Sequence, residues 1–125
     1  MQEAPGIIPV ETHTSAAGIM CIAGNSDGEI YVTLSGDIDS FEFSQVKEIL
    51  LTVLSEMEYS RLVLDMTDVD YIDVTTLGAL NALNNTIKIT LIAPEGNRAL
   101  YLLNRLGLAQ FFHVLPSADA LLAAT

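Results

Sequence analysis

The run Leu62-Val63-Leu64, entered from Arg61 and left through Asp65, leaves this chain few ways to fold. Side chains on a strand alternate between faces, so three consecutive apolar residues need a strand covered on both sides, as in a parallel or mixed sheet. The residues after it narrow the choice further. Asp65 to Asp73 reads as an acidic loop, and Leu77, Leu80 and Leu83, with Ala79 and Ala82, then set a helix from about Val74 to Leu83. Asn84-Asn85 supplies its stop. Strand, loop and helix in that order form the repeating unit of an α/β fold.

The same alternation recurs along the chain. Gly18 to Ala23 and Glu29 to Leu34 are strand-like runs joined by Gly24-Asn25-Ser26-Asp27-Gly28, the composition of a hairpin turn. A loop Ser35 to Asp39 follows, with Asp39 and Glu42 spaced as a capping box. The next helix carries Phe43, Val46, Ile49 or Leu50, Val53 and Met57 on one face and ends near Tyr59-Ser60. Ile87 to Ala93 is a further central strand. Pro94-Glu95-Gly96 then turns into a helix from Asn97 to Leu106, with Leu100, Leu103 and Leu106 inward and Gly107 as its cap. Phe111 to Leu115 predicts a last strand, and Ser117 caps a terminal helix from Ala118 to Ala124. The sum is one α/β domain over residues 18–125, a mixed β-sheet with helices packed against it in the order ββαβαβαβα. Residues 1–17, with Pro5, Gly6 and Pro9, read as a flexible arm or a loosely held first strand.

Composition removes several classes of function. At 125 residues, half of them apolar, the chain is long enough to bury a core without disulfides or metal. Apolar runs such as Ile89 to Ala93 fall far short of the ~20 residues that span a bilayer. Residues 1–15 lack a basic segment followed by a continuous apolar one, so no secretory signal is read there and a cytoplasmic location is expected. Sixteen acidic against five basic side chains give a net charge of −11, which repels nucleic acid and anionic membrane. The expected partner is a protein surface, basic or mainly apolar. Cys21 reads as a small buried hydrophobe, and His13 and His113 have no companions at zinc-ligand spacing.

Asp65, Asp68, Asp70 and Asp73 follow a strand end, where open α/β sheets place their sites, and a Mg²⁺-dependent enzyme is one reading of them. No glycine-rich phosphate loop, following lysine or paired nucleophile and base accompanies them. The preferred reading is a solvated loop with Asp73 as helix N-cap, without catalytic residues, metal or cofactor. Thr75 and Thr76 would then occupy the first helical turn, where unpaired N–H groups and the helix dipole favour an anion such as phosphate. Local hydrogen bonding is the plainer role of first-turn threonines.

Leu62 to Leu80 resembles the signature of the STAS domain, the fold of anti-sigma factor antagonists. There an apolar strand leads through an Asp-containing loop into Asp-Ser-Ser-Gly-Leu-Gly, which reads here Asp73-Val74-Thr75-Thr76-Leu77-Gly78. The upstream Gly-Glu-Leu-Asp element is matched by Gly36-Asp37-Ile38-Asp39, and Leu100 to Val114 is similar to the family's later helix, Gly-Leu pair and aromatic strand. The resemblance implies an antagonist that binds an anti-sigma factor serine/threonine kinase while unmodified and is released on phosphorylation. The acceptor would be Thr75, with Thr76 as the alternative, and the partner-binding set Asp37, Asp39, Asp73, Val74, Thr75, Thr76, Leu77 and Gly78. A serine/threonine phosphatase would be a further partner.

The chain departs from the pattern in four places. Threonine replaces the acceptor serine, adding a β-branched methyl. Thr76 stands where the family has glycine, Val74 removes a hydroxyl, and the connection from Gly78 to Pro94 is short, which would trim the second helix. A non-phosphorylated STAS interaction module, stressosome-like or transporter-associated, is the alternative reading.

Overall fold

The computed structural model describes residues 8–14, 18–24, 29–55, 61–117 and 119–120. One six-stranded sheet is built in sequence order: β1 (Ile8–Thr14), β2 (Gly18–Gly24), β3 (Glu29–Ile38), β4 (Arg61–Ile72), β5 (Ile89–Ile92) and β6 (His113–Leu115). β1 to β3 are antiparallel, and β3 to β6 are parallel. Helices α1 (Ser40–Ser55), α2 (Val74–Thr86) and α3 (Arg98–Arg105) make the parallel crossovers. Because each crossover steps to the next strand in the same direction, and such connections share one hand, all three helices fall on one face.

The core lies between that face and the helices. Val32 and Leu34 of β3 and Leu64 and Met66 of β4 meet Phe43 and Leu50 of α1, Leu77 and Leu80 of α2, and Ala99 and Leu103 of α3. Val63 and Ile92 form a smaller cluster with Tyr31 and Leu115. Leu62, Val63 and Leu64 are therefore all buried, as an apolar run in a two-sided strand requires. At the start of the ladder Glu29 faces Arg61, and the two side chains form an ion pair. Burial, then the Glu29 charge, pushes the Tyr31 hydroxyl pKa up.

Several elements run differently from the sequence reading. The acidic segment after Leu64 is strand: β4 continues to Ile72, paired with a β3 that itself continues through Gly36 to Ile38. From Thr33↔Asp65 to Asp37↔Tyr71, β3 advances four residues while β4 advances six, so β4 carries two extra residues in two irregularities. Each extra residue flips which side chains face inward. That is why Met66, Val69 and Ile72 are buried at a spacing of three, a pattern no regular strand produces. Gly36 lies between the irregularities with φ 84°, a conformation open to glycine.

α2 does not stop at Asn84-Asn85; it runs to Thr86, and Ile87, expected to open a strand, closes the helix. Asn84 serves tertiary structure, donating through Nδ2 to the Phe111 carbonyl at 2.8 Å and accepting from the Ile89 amide at 2.9 Å. Leu106, expected inward, is 42% exposed, and Ala99 takes its place in the core. Gly107, φ 70°, completes a Schellman ending: its amide reaches the Asn104 carbonyl, and the Leu108 amide reaches that of Leu103. Ala109–Phe111 is a 3-10 turn, so the last strand begins at His113. Ser117 Oγ accepts from the Ala120 amide as a cap would; the terminal helix beyond 120 lies outside the described residues. So do the expected hairpin turn 25–28, the expected continuation of the first helix through Met57, and the side chains of Cys21, His13, Val46, Ile49 and Val53.

Replacing Asn84 leaves two backbone groups without partners, so Asn84→Ala is expected to lower unfolding free energy by about 1–3 kcal/mol in urea titration. Asn85→Ala, on the exposed side of the same turn, is expected to stay within about 0.5 kcal/mol of wild type.

Candidate functional site

Because β3 and β4 are parallel and end together at Ile38↔Ile72, each delivers an aspartate and a helix start to the same edge of the sheet. The local sequences are twins, Ile38-Asp39-Ser40 and Ile72-Asp73-Val74. Asp39 Oδ1 accepts from the Glu42 amide at 2.8 Å and caps α1. Asp73, extended at φ −100° and ψ 168°, caps α2: its Oδ1 accepts the Thr76 amide at 2.7 Å and the Thr76 hydroxyl at 2.5 Å.

Asp73 also responds to both helix starts. Burial works against its charged form, but hydrogen bonds from the Thr76 hydroxyl, the Thr76 amide, the Ser40 amide of α1 and its own amide outweigh that. They hold its carboxyl below the ordinary 3.8. The Gly36-to-Asp39 segment and the start of α2 therefore lie together at one edge of the sheet.

Within that site the predicted residues divide. Asp37, Asp39, Val74, Thr75 and Gly78 are exposed, and Asp73 is half-buried. Thr76 is 0% exposed with its hydroxyl spent on Asp73, and Leu77 is equally interior, so neither is in a partner's direct reach. Among the described residues no three of His, Cys, Asp and Glu gather as a metal site. Asp65 is occupied by the Thr67 amide and hydroxyl, and Asp68 and Asp70 lie exposed along β4.

Sequence reasoning missed Ser40, Phe41 and Tyr71. The influence of the Ser40 amide on Asp73 is tertiary and has no local signature. Phe41 had one: it lies off the helical spacing of Phe43, Leu50 and Leu54, so α1 cannot bury it, and it is 67% exposed. Tyr71 precedes the inward Ile72 and is exposed as well.

The family model of the STAS domain matches residues 22–120. The chain belongs to the STAS domain family. Solved structures share this STAS fold. An anti-sigma factor antagonist from Mycobacterium paratuberculosis is 20% identical with a TM-score of 0.68, over 98% of this chain and 97% of that one. The Bacillus cell fate determinant SpoIIAA in its phosphorylated form is 11% identical with a TM-score of 0.59, over 85% and 99%. Murine Slc26a9, an anion transporter, is 26% identical with a TM-score of 0.59 over 82% of this chain but 18% of its own. Among the described residues no helix of this STAS protein is long and apolar enough to cross a membrane.

The cap yields a pH prediction. A carboxyl with a depressed folded pKa contributes stability above its unfolded pKa and loses it as pH falls through the folded value. Asp73→Ala is expected to cost about 1–2 kcal/mol near neutral pH in denaturant titration. That deficit should shrink as pH falls below 3.8, where the wild-type carboxyl is progressively protonated.

Proposed function

We propose that this STAS protein is an anti-sigma factor antagonist: a cytoplasmic regulatory protein, not a catalyst, that binds an anti-sigma factor serine/threonine kinase and is released when Thr75 is phosphorylated. The observation that carries this reading is the contrast between neighbours. Thr75 is exposed on the first turn of α2, while the Thr76 hydroxyl is buried and bonded to Asp73. A kinase approaching the start of α2 therefore has one accessible hydroxyl on that turn, and Thr75 is the preferred acceptor over Thr76.

The chemistry of the position favours a reversible signal. Phosphate would add nearly two negative charges near the Val74 and Thr75 amides, which have no intrahelical partner, so the helix end tolerates it. The cost falls on the partner, which must accommodate a dianion on its docking surface. A serine/threonine phosphatase would reset the switch. The likeness to antagonists, one of them a phosphorylated form by its description, supports the reading at the level of fold.

Incubation with ATP and the kinase is expected to add one phosphate by intact mass to wild type and none to Thr75→Ala; full labelling of that variant would place the acceptor elsewhere. Thr75→Glu is expected to weaken kinase binding by about 1–3 kcal/mol. The identity with the transporter segment favours a second reading, a constitutive interaction module, and unchanged affinity in Thr75→Glu would select it.

A further inference from the structure

Charge is divided unevenly along this chain: fourteen of its sixteen acidic residues but two of its five basic ones fall in residues 1–73, which leaves residues 74–125 slightly basic. Because the sheet is built in sequence order, a division along the chain is also one across the molecule. Helix α3 holds two of the remaining cations. Arg98, Tyr101 and Arg105 are exposed and, at steps of three and four residues, share one side of the helix, opposite the buried Ala99 and Leu103. Among the described residues neither arginine pairs with a carboxylate, in a chain with a large excess of them. The Arg105 guanidinium lies 5.8 Å from the centre of the Tyr101 ring and donates to its hydroxyl at 3.3 Å, which holds the two together on the surface. Beside them an open groove of about 490 Å³ is lined by Glu95, Asn97, Arg98, Leu100, Tyr101 and Asn104.

The other face of the sheet carries the complement. Ile38, Val69 and Ile72 are buried in the core on the helix side, so their neighbours Asp37, Asp68 and Tyr71 point away from the helices by the alternation of a strand. All three are exposed, and among the described residues neither aspartate forms an ion pair. Thr33, between the buried Val32 and Leu34, extends the same exposed face. With α3 on one side of the sheet and these aspartates on the other, a single chain does not bring its own opposite charges together; two chains can.

We propose that copies of this chain associate front to back: the Arg98, Tyr101 and Arg105 side of α3 in one copy docks on Asp37 and Asp68 of the next, whose Tyr71 enters the groove. Two unpaired guanidiniums then meet two unpaired carboxylates, which sets the orientation of the contact. The groove offers the Tyr71 ring an apolar wall in Leu100 and Tyr101, and the Asn104 amide is at hand for its hydroxyl. Because the contact joins two different surfaces it does not close on itself, and copies add in a row. The net charge of −11 on every copy opposes that growth and exposed ion pairs are individually weak, so association belongs to high protein concentration. It depends neither on a kinase nor on phosphorylation of Thr75.

Sedimentation velocity of the full chain tests this, with folding checked by circular dichroism. Over about 10–500 µM the weight-average mass of wild type is expected to rise with concentration and not to level off at two chains. Arg98→Glu/Arg105→Glu and Asp37→Lys/Asp68→Lys are each expected to fold, since all four positions are exposed, and to stay at the mass of one chain. The lysine variant has the smaller net charge, so general repulsion would make it associate more; loss of the contact makes it associate less. An equimolar mixture of the two variants is expected to restore association, because each presents the surface that complements the other. Tyr71→Ala is expected to need at least about tenfold higher concentration than wild type to reach the same mass. The proposal is overturned by a wild type that stays at one chain throughout, by a mass that levels off at two, by either double variant or Tyr71→Ala associating as wild type does, or by a mixture that remains monomeric.

Discussion

The parallel pairing of β3 with β4 determines where everything else in this molecule sits. At one end Glu29 and Arg61 face each other and join as an ion pair; at the other Ile38 and Ile72 finish side by side. Between them β4 accommodates two more residues than β3, and the ladder is preserved because Gly36 takes a left-handed conformation and Met66, Val69 and Ile72 still reach the core. Without those irregularities the strand would turn some of its carboxylates inward, at a cost no apolar gain could offset. With them, Asp68 and Asp70 stay exposed and Asp39 and Asp73 arrive together as the caps of two helices.

From that coincidence follows the junction at Asp73. One carboxylate accepts a hydroxyl and an amide from its own helix, and the Ser40 amide at the start of α1 also favours its charged form, so the two helix starts meet at Asp73. Thr76 is the side chain sacrificed to this arrangement. Its buried hydroxyl replaces the bare backbone that a glycine would leave, and it stiffens the turn that presents Thr75 to solvent. α3 is docked by analogous means: Asn97 caps it by accepting from the Leu100 amide and donates to the Met66 carbonyl, fastening the third helix to the same irregular strand.

What the sequence disclosed, and what it withheld, has a consistent physical basis. The Leu62–Leu64 run, the leucines of α2, the Asp39 and Asp73 caps and the Gly107 ending were legible because each is a local pattern with one cheap structural solution. The extended β4 was not, because two extra residues destroy the period of two by which strands are recognised, and a row of aspartates imitates a loop. Asn84 was misread for a related reason: its stop signal is a local propensity, overridden by two tertiary hydrogen bonds. Thr75 and Thr76 look equivalent on paper. Only the hydrogen bond from Thr76 to Asp73 and the packing beneath α2 separate the exposed hydroxyl from the buried one.

The uncharged face of α2 is the feature that gives the proposed switch its direction. Sixteen acidic residues maintain a strongly negative molecule, yet α2 itself carries none of them. A phosphate added to a surface already dense in carboxylates would alter its potential by degrees. On α2 the same phosphate is a change of kind, since the partner in the proposed switch must then accommodate a dianion on its docking surface. The helix end, by contrast, offers the dianion free amides and a favourable dipole, so the modified chain keeps its fold. Tolerance within the molecule combined with intolerance across its surface is what would allow a single group, in the proposed switch, to reverse binding without unfolding the protein that carries it.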